Sequence, residues 1–296
     1  MTAGYPWRLH AGTISRAFLP PAHLRRHLVC VIERDTRGCN LHSLQAFTYG
    51  PVTPNMSIVW IWQGQPERLL AWRPDDLDAP RERITPSIMI RGGTTEPWIH
   101  YNSEPLHVLI AVFRPDALHQ LFGLEPTEWL NRTQSLLDSK LQRQWIDWAH
   151  QILAAQSSSA ALPLLYAGLE QHLDSEACAG HRPELAKRWL SRLQFLSGMN
   201  SQRTLQRRIR QLTGANARQL ARFTRFEELG LVVSHALNKQ QDLKQADLAV
   251  STGFSDQPHM AREVRRALGF TISESLRRLL FYESFWLYRA KLSLHL

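Results

Sequence analysis

The sequence has little cysteine and no long apolar run. Its three cysteines, Cys30, Cys39 and Cys178, are odd in number and lie far apart, so they match no metal or redox spacing and predict reduced thiols. No apolar run reaches the roughly 18 residues of a membrane span, and the start of the chain lacks the basic-then-apolar pattern of a signal peptide. These absences predict a cytoplasmic protein without a membrane partner.

Motifs of catalysis and of nucleotide binding are also lacking. We find neither a nucleophile elbow nor a glycine-rich phosphate loop. One metal-ligand set, His100, Glu104 and His107, has a spacing that matches no well-known ligand pattern, and Pro105 argues against a shared helical face. We therefore predict neither an enzyme nor a cofactor. A metal-dependent enzyme in the N-terminal half remains a less favoured alternative.

The positive charge is unevenly distributed along the chain. The net charge is +9, yet residues 1–180 carry 15 Lys and Arg against 17 Asp and Glu, whereas residues 181–296 carry 20 against 9. Such asymmetry is typical of a polyanion-binding domain joined to a domain with another task. A basic surface without a partner is the plainer alternative.

The N-terminal half predicts a β-rich domain followed by helices. Short apolar or alternating runs, bounded by Pro, Gly and Asn, are typical of the strands of a sandwich or barrel; they are LVCVIER, SIVWIWQG, SIMIRGG and HVLIAVFRP. DALHQLFG predicts a short helix that ends at Gly123, and LLYAGLEQHLD a later helix beyond the break SSSAALP.

Between those two helices, an apolar stripe suggests a longer one. Leu137, Leu141, Trp145, Trp148 and Ile152 follow one another at spacings of 4, 4, 3 and 4, which predicts one helix face. That face has two interpretations: it forms a two-helix homodimer seam, or it packs on its own domain. The second interpretation is slightly favoured.

The last two-fifths of the chain predict helices and turns only. SEACAGHRPE is the best linker candidate, because small residues, Gly and Pro cluster where the charge balance changes. The predicted architecture is therefore α+β. It has an N-terminal β-rich sensing or dimerisation domain with helices (1–178) and an all-α domain of two helix-turn-helix units joined by a long helix (179–296).

The second unit is the run DLAVSTGFSDQPHMAREVRRALGF. A short helix ends at Gly253, Ser255 or Asp256 can cap the next helix, and Pro258 suits its first turn. Met260, Val264 and Leu268 then form a buried stripe, and His259, Arg262 and Arg266 occupy another face. A helix anchored by one face with donors along the other is what reading of the major groove requires.

The first unit is SQRTLQRRIRQLTG, with Ser201 as its cap and Gly214 as its end. Leu205, Ile209 and Leu212 predict its buried stripe. The opposite face, at i, i+3, i+4 and i+7, carries Arg203, Gln206, Arg207 and Arg210. Arg and Gln form bidentate bonds to guanine and adenine edges, so this face also predicts base contacts.

One long helix is predicted between the two units, over ARQLARFTRFEELGLVVSHAL, weakened at Gly230 by about 1 kcal/mol relative to Ala. The aromatic tail, with Phe281, Tyr282, Phe285, Trp286 and Tyr288, predicts docking onto the protein's own surface. Membrane contact is the alternative, since a basic aromatic helix has that chemistry.

These two units resemble the DNA-binding domain of the AraC/XylS family of bacterial transcription regulators, over residues from about 184 to 280. The Gly-Phe-Ser-Asp-Gln turn makes the second unit the more specific match. The resemblance implies a cytoplasmic regulator whose partner is double-stranded DNA. It places base contacts on Arg203, Gln206 and Arg207 in the first unit, and on Gln257, Pro258 and Arg262 in the second. Helical phase adds Arg210, His259 and Arg266.

Control of such a regulator is expected in the N-terminal half, by a small-molecule effector or by dimerisation. Candidate ligand-binding residues are Trp60, Trp62, Arg91, Trp98 and His100, although core packing explains the tryptophans equally well. RNA polymerase is a further candidate partner. The alternative is a constitutive or architectural DNA-binding protein, but DNA reading alone needs only about 100 residues.

Overall fold

The structure is a computed structural model, and it describes residues 10–41, 43–139, 141–171, 202–239, 241 and 245–295. It confirms the predicted fold class, because a β-rich N-terminal region and its helices precede a C-terminal region built from helices. The predicted linker and the boundary at residue 178 lie outside the described residues, so the domain limits stay predictions.

Two antiparallel sheets form the N-terminal region. The larger sheet has the order β1-β2-β9-β4-β7-β10, and the smaller has the order β3-β8-β5-β6. The strands of the larger sheet are β1 (Ile14–Phe18), β2 (Leu28–Asp35), β4 (Met56–Gln63), β7 (Ile88–Arg91), β9 (His107–Phe113) and β10 (Thr133–Ser135). Those of the smaller are β3 (Phe47–Gly50), β5 (Glu67–Leu69), β6 (Arg81–Arg83) and β8 (Trp98–Tyr101). The four runs predicted as strands correspond to β2, β4, β7 and β9.

The two faces of the larger sheet have different partners, because side chains alternate along a strand. In β4, Ile58 and Trp60 point into a core formed with the helices. Val59 and Ile61 point the other way, into a cavity between the two sheets. The N-terminal helices are α1 (Ala117–Phe122), α2 (Pro126–Trp129), α3 (Arg143–Ala155) and α4 (Ser158–Glu170).

The predicted apolar stripe does not lie on a single helix. Leu137 precedes α3, follows β10 and is 54% exposed. The remaining members, Leu141, Trp145, Trp148 and Ile152, are all buried within the core of their own domain. The stripe therefore packs internally, and the alternative of a helical dimer seam is wrong for these side chains, since a seam requires an exposed face.

The break predicted at SSSAALP, residues 157–163, is wrong in its extent, because α4 begins at Ser158 and includes the rest of that run. The chain turns at Gln156, in the left-handed region (φ 51°), and Ser157 caps α4 by accepting from the Ala160 N–H. Pro163 then lies inside α4, although an internal proline costs about 3 kcal/mol. Burial of Ala161, Leu165 and Leu169 offsets that cost.

The described C-terminal residues form six helices. They are α5 (Gln202–Thr213), α6 (Ala217–Asn238), α7 (Gln245–Ser251), α8 (Gln257–Leu268), α9 (Ile272–Phe281) and α10 (Trp286–Leu292). Short 3-10 turns cover Ala22–Arg26, Ser43–Ala46, Glu283–Phe285 and Ser293–His295.

As predicted, the tail docks onto the protein itself: Trp286, Leu287 and Ala290 are buried in one cluster with Cys30 and Ile32 of β2.

A buried network of ion pairs fixes this tail to the larger sheet. Glu283 pairs with Arg34 of β2 at 2.7 Å and with Arg289 of α10 at 3.1 Å, and all three side chains are almost inaccessible to solvent. Removing one partner of a buried pair leaves an uncompensated charge. The network therefore makes the tail part of the contact between the N-terminal and C-terminal regions.

Candidate nucleic-acid interface and internal cavity

We call α8 the second arginine helix, and its start follows the predicted turn chemistry. Gly253 lies in the left-handed region (φ 69°), which costs glycine little. Asp256 caps the helix by accepting from the His259 N–H at 2.6 Å, and Pro258 lies in the first turn. These hydrogen bonds, first that from the His259 backbone and then that from the Ser255 hydroxyl, hold the pKa of Asp256 below its usual value.

The two faces of the second arginine helix separate as predicted. Met260, Val264 and Leu268 are buried at 0%, 2% and 6% exposure. Gln257, Pro258, Arg262 and Arg266 are exposed, and His259 is half-buried, with its ring 5.6 Å from that of Phe254. The buried stripe anchors the helix and leaves the candidate base-contacting side chains accessible.

Glu263, on the same helix, is a buried carboxylate that pairs with one of the exposed arginines. It is buried, accepts from Arg222 of α6 at 2.8 Å and from Arg266 at 2.9 Å, and so ties α8 to α6. Burial would raise the pKa of Glu263, but the bonds from Arg222 and Arg266 outweigh it and lower the pKa. The sequence did not single out Glu263; its i,i+3 spacing to Arg266 was the available signal.

We call α5 the first arginine helix. It ends at Gly214 (φ 71°), whose N–H bonds to the Arg210 carbonyl at 2.8 Å. Ile209 is buried, and the predicted outer face is accessible at Arg203, Gln206, Arg207 and Arg210. The cap predicted at Ser201 and the side chain of Leu205 lie outside what the structure describes.

A single helix, α6, joins the units without a break. Asn216 and Gln219 form a reciprocal capping box at its start. Gly230 lies within the helix, and a Cβ there would meet only Leu292, at 3.8 Å, so its helical backbone is not forced by crowding. The 22 residues of α6 span about 33 Å at 1.5 Å per residue.

A cavity of about 620 Å³ lies between the two sheets. Three of the five candidate ligand-binding residues line it: Arg91, Trp98 and His100. The other two do not, because Trp60 and Trp62 face the helices and donate to the carbonyls of Ala149 at 2.9 Å and Ile152 at 3.3 Å. Their odd-numbered neighbours Val59 and Ile61 line the cavity instead.

The cavity is rich in cationic groups. The Arg91 guanidinium stacks on the Trp98 ring at 3.7 Å and makes no ion pair with a described residue. Burial, reinforced by Arg68, lowers the pKa of Arg91 to about 9, and burial with the two arginines lowers that of His100 to about 3. His100 is therefore neutral at physiological pH, and Arg91 carries the charge.

Lys291, from the C-terminal tail, lines the same cavity. Its pKa is lowered, mainly by burial and also by Arg91, against the opposing effect of Cys30 and Glu227. Sequence reasoning missed Lys291, since 200 positions separate it from Arg91 and no local pattern connects them.

The metal-ligand alternative gains no support from the placement of its residues. His100 lies on β8 and His107 on β9, in different sheets, and His107 bonds to Glu33 at 3.1 Å. Within the described ranges, no group of three His, Cys, Asp or Glu could hold a metal ion.

No helix among the described residues is long and apolar enough to cross a membrane.

Residues 199–278 match the family model described as a helix-turn-helix domain. This match confirms the AraC-type helix-turn-helix region implied by the sequence resemblance. No curated protein sequence matches the chain at a significant level.

Among solved structures, an apo variant of ToxT from Vibrio cholerae has 13% identity and a TM-score of 0.38, over 83% of this chain and 96% of that one. Wild-type ToxT from Vibrio cholerae bound to an unsaturated fatty acid has 12% identity and a TM-score of 0.36, over 79% and 90%. The AraC-like transcriptional activator CuxR has 10% identity and a TM-score of 0.25, over 90% and 92%.

Proposed function

From the premise that residues 199–278 form a helix-turn-helix domain, we propose that this protein is a sequence-specific DNA-binding transcriptional regulator acting in the cytoplasm. One observation carries the proposal: α8 buries an apolar stripe, α5 buries Ile209 and part of Leu212, and both helices expose Arg and Gln along another face. Exposed arginines displace counterions from phosphates, and Arg and Gln bond base edges in the major groove.

In this mechanism the two arginine helices enter successive major-groove faces, which lie about 34 Å apart. The length of α6, about 33 Å, matches that spacing. The candidate base contacts are Arg203, Gln206, Arg207 and Arg210 in the first helix, and Gln257, Pro258, His259, Arg262 and Arg266 in the second. Pro258 has no side-chain donor, so its contact is apolar.

The test compares Arg207→Ala with Arg218→Ala, since both side chains are exposed but only Arg207 lies on the base-reading face. Arg207→Ala should lose about 1–3 kcal/mol of discrimination between its preferred site and random DNA. Arg218→Ala should weaken binding to both DNAs alike, as a phosphate contact does. Titration of each variant against both DNAs measures this. If both variants lose the same affinity on the preferred site as on random DNA, the assignment is refuted.

We further propose that the cavity binds an effector, and that the effector is an amphipathic organic anion. Arg91 and Lys291 bring two cationic groups to a cavity whose wall also includes Val59, Ile61 and Val108. Arg91 is half-buried and has no ion-pair partner among the described residues. Because desolvating an unpaired charge is costly, an anionic headgroup beside Arg91 lowers the free energy of the bound state. The volume lies in the roughly 300–1,000 Å³ range of ligand pockets.

Decanoate and its neutral analogue decanol test this effector class. Decanoate should raise the melting temperature of the wild-type protein more than decanol does, because ligands that bind only the folded form stabilise it. Arg91→Gln should remove the difference. Arg83→Gln is the matched control, since Arg83 lies at the cavity edge with its side chain 72% exposed. Equal shifts in wild type and Arg91→Gln would exclude the anion site.

A further inference from the structure

The loop between β3 and β4 projects from the N-terminal region into the helical region. It comprises residues 51–55, and Pro51 and Pro54 restrict its backbone. Thr53 and Thr94 exchange two backbone hydrogen bonds, of 3.0 and 2.8 Å, which fasten the loop to the β-rich region. The loop is therefore a rigid extension of the sheets.

Val52, at the tip of this loop, is buried between the two helix-turn-helix units. It is 3% exposed and belongs to one cluster with Ile209 of the first arginine helix and Ala267 of the second. The cluster also contains Ala215, Leu220 and Phe223, from the turn before α6 and from α6 itself. A single side chain of the N-terminal region thus shares a core with both arginine helices.

A backbone hydrogen bond fixes the loop to the second arginine helix. The Val52 N–H donates to the Ala267 carbonyl at 3.1 Å. Ala267 lies in the last turn of α8, where carbonyl groups have no partner within the helix. The loop therefore satisfies a group that the helix itself leaves open, and this fixes the end of the helix in position.

Both arginine helices also end against the N-terminal region at their terminal glycines. A Cβ on Gly214 would lie 2.4 Å from the Pro126 carbonyl oxygen, and one on Gly269 would overlap the Trp72 ring. The N-terminal region thus contacts each helix end separately, and Val52 packs with both helices. The relative position of the two helices depends on these contacts as well as on α6.

We propose that Val52 is a positioning residue that sets the separation and orientation of the two arginine helices, and thereby the spacing between the two DNA sub-sites. This inference rests on the proposed function. The loop also connects this role to the cavity, because Pro51, Thr53 and Asn55 line the cavity wall. A ligand that moves that wall would move Val52 with it.

The experiment selects preferred sites from random DNA with the wild-type protein, and then changes the spacing between the two sub-sites by one base pair. Wild type should lose about tenfold in affinity on the altered spacing, the size of one mismatch. Val52→Ala should bind both spacings within about twofold of each other, since its helices can adapt. Val52→Ile, which keeps a branched apolar side chain, should restore the discrimination.

Val31→Ala is the control for reduced stability, because Val31 is fully buried in the core of the larger sheet, away from the helix-turn-helix units; it should keep the wild-type ratio. If Val52→Ala does not fold, Val52→Thr is measured instead. It keeps the shape of Val52 but places a hydroxyl in an apolar cluster, which weakens the contact, so the same loss of discrimination is expected. A folded Val52→Ala or Val52→Thr variant that discriminates spacing like wild type overturns the positioning role alone. A wild-type protein that selects no sequence overturns this role and the proposed function together.

Discussion

The two arginine helices use their cationic side chains differently. In the first, Arg203, Arg207 and Arg210 are exposed and make no ion pair with a described residue. In the second, Arg266 shares the buried carboxylate of Glu263 with Arg222. The first helix therefore presents its charge to a partner, whereas part of the charge of the second is used to hold the helix on α6.

The two arginine helices therefore have different roles in the DNA-binding region: the first contributes mainly to affinity, and the second has a more fixed position. Exposed, unpaired guanidinium groups release counterions and produce salt-dependent binding. A guanidinium bonded to a buried carboxylate contributes less to that release, but it limits movement of its helix. We expect the first arginine helix to dominate the salt dependence, and the second to be the more rigidly placed.

The largest expected effect tests the docking of the helix ends. Gly269→Ala should cost about 2–5 kcal/mol, because the left-handed backbone disfavours Ala by about 1–2 kcal/mol and Trp72 must also move. Gly253→Ala shares the positive φ but has open space around it, so only the backbone cost applies. Thermal unfolding of both variants measures the difference, and equal costs would mean that α8 does not dock on Trp72.

The next effect concerns salt. On random DNA, where exposed arginines contact phosphates and not base edges, replacing both Arg203 and Arg210 with Gln should lower the slope of log affinity against log salt by about 1.8, since each phosphate that is no longer neutralised removes about 0.9. Arg266→Gln should lower it by less than about 0.9, because Glu263 already neutralises part of that charge. Binding titrations between about 50 and 200 mM salt, by fluorescence anisotropy, decide this. An Arg266 effect equal to that of Arg203 alone would contradict the comparison.

The smallest effect concerns Glu263 itself. Glu263→Gln should destabilise the protein by about 1–2 kcal/mol at pH 7, through weaker hydrogen bonds to Arg222 and Arg266. Because the folded pKa of Glu263 is lowered, its contribution is present above the unfolded pKa of about 4.3 and is lost as pH falls through the folded pKa. Denaturant unfolding from pH 7 to pH 3 should show the two proteins converging.

Local patterns predicted much of the helix-turn-helix region and less of the N-terminal helices. Asp256, Gly253 and Gly214 act through their nearest neighbours, so their cap and turn roles followed from the sequence. Leu137 shows the limit: its spacing to Leu141 suits a helix, but residues 133–135 pair with β7 as strand β10. Long-range sheet pairing overrode a local periodicity, and no window of sequence contains that pairing.

The cavity illustrates the same limit for function. Arg91, Trp98 and His100 are residue types that bind ligands, and strand alternation turns Arg91 of the larger sheet and Trp98 and His100 of the smaller sheet toward the same cavity. Trp60 and Trp62 are also residue types that bind ligands, but they lie on the face of the larger sheet that is turned away from the cavity. Deciding between the two faces required the placement of α3, whose carbonyls accept from both indoles.

By itself the sequence determined the α+β architecture, the basic C-terminal region, the two arginine helices with their exposed donors, and the Asp256 cap of the second. These follow from periodicity, charge and turn chemistry, which act over a few residues. Only the tertiary structure decided that Val52 lies between the two units, that Lys291 enters the cavity beside Arg91, and that Glu263 binds Arg222. Such contacts join residues that are far apart in the chain. Burial and charge pairing depend on how close two groups are in space, and local sequence patterns do not contain that information.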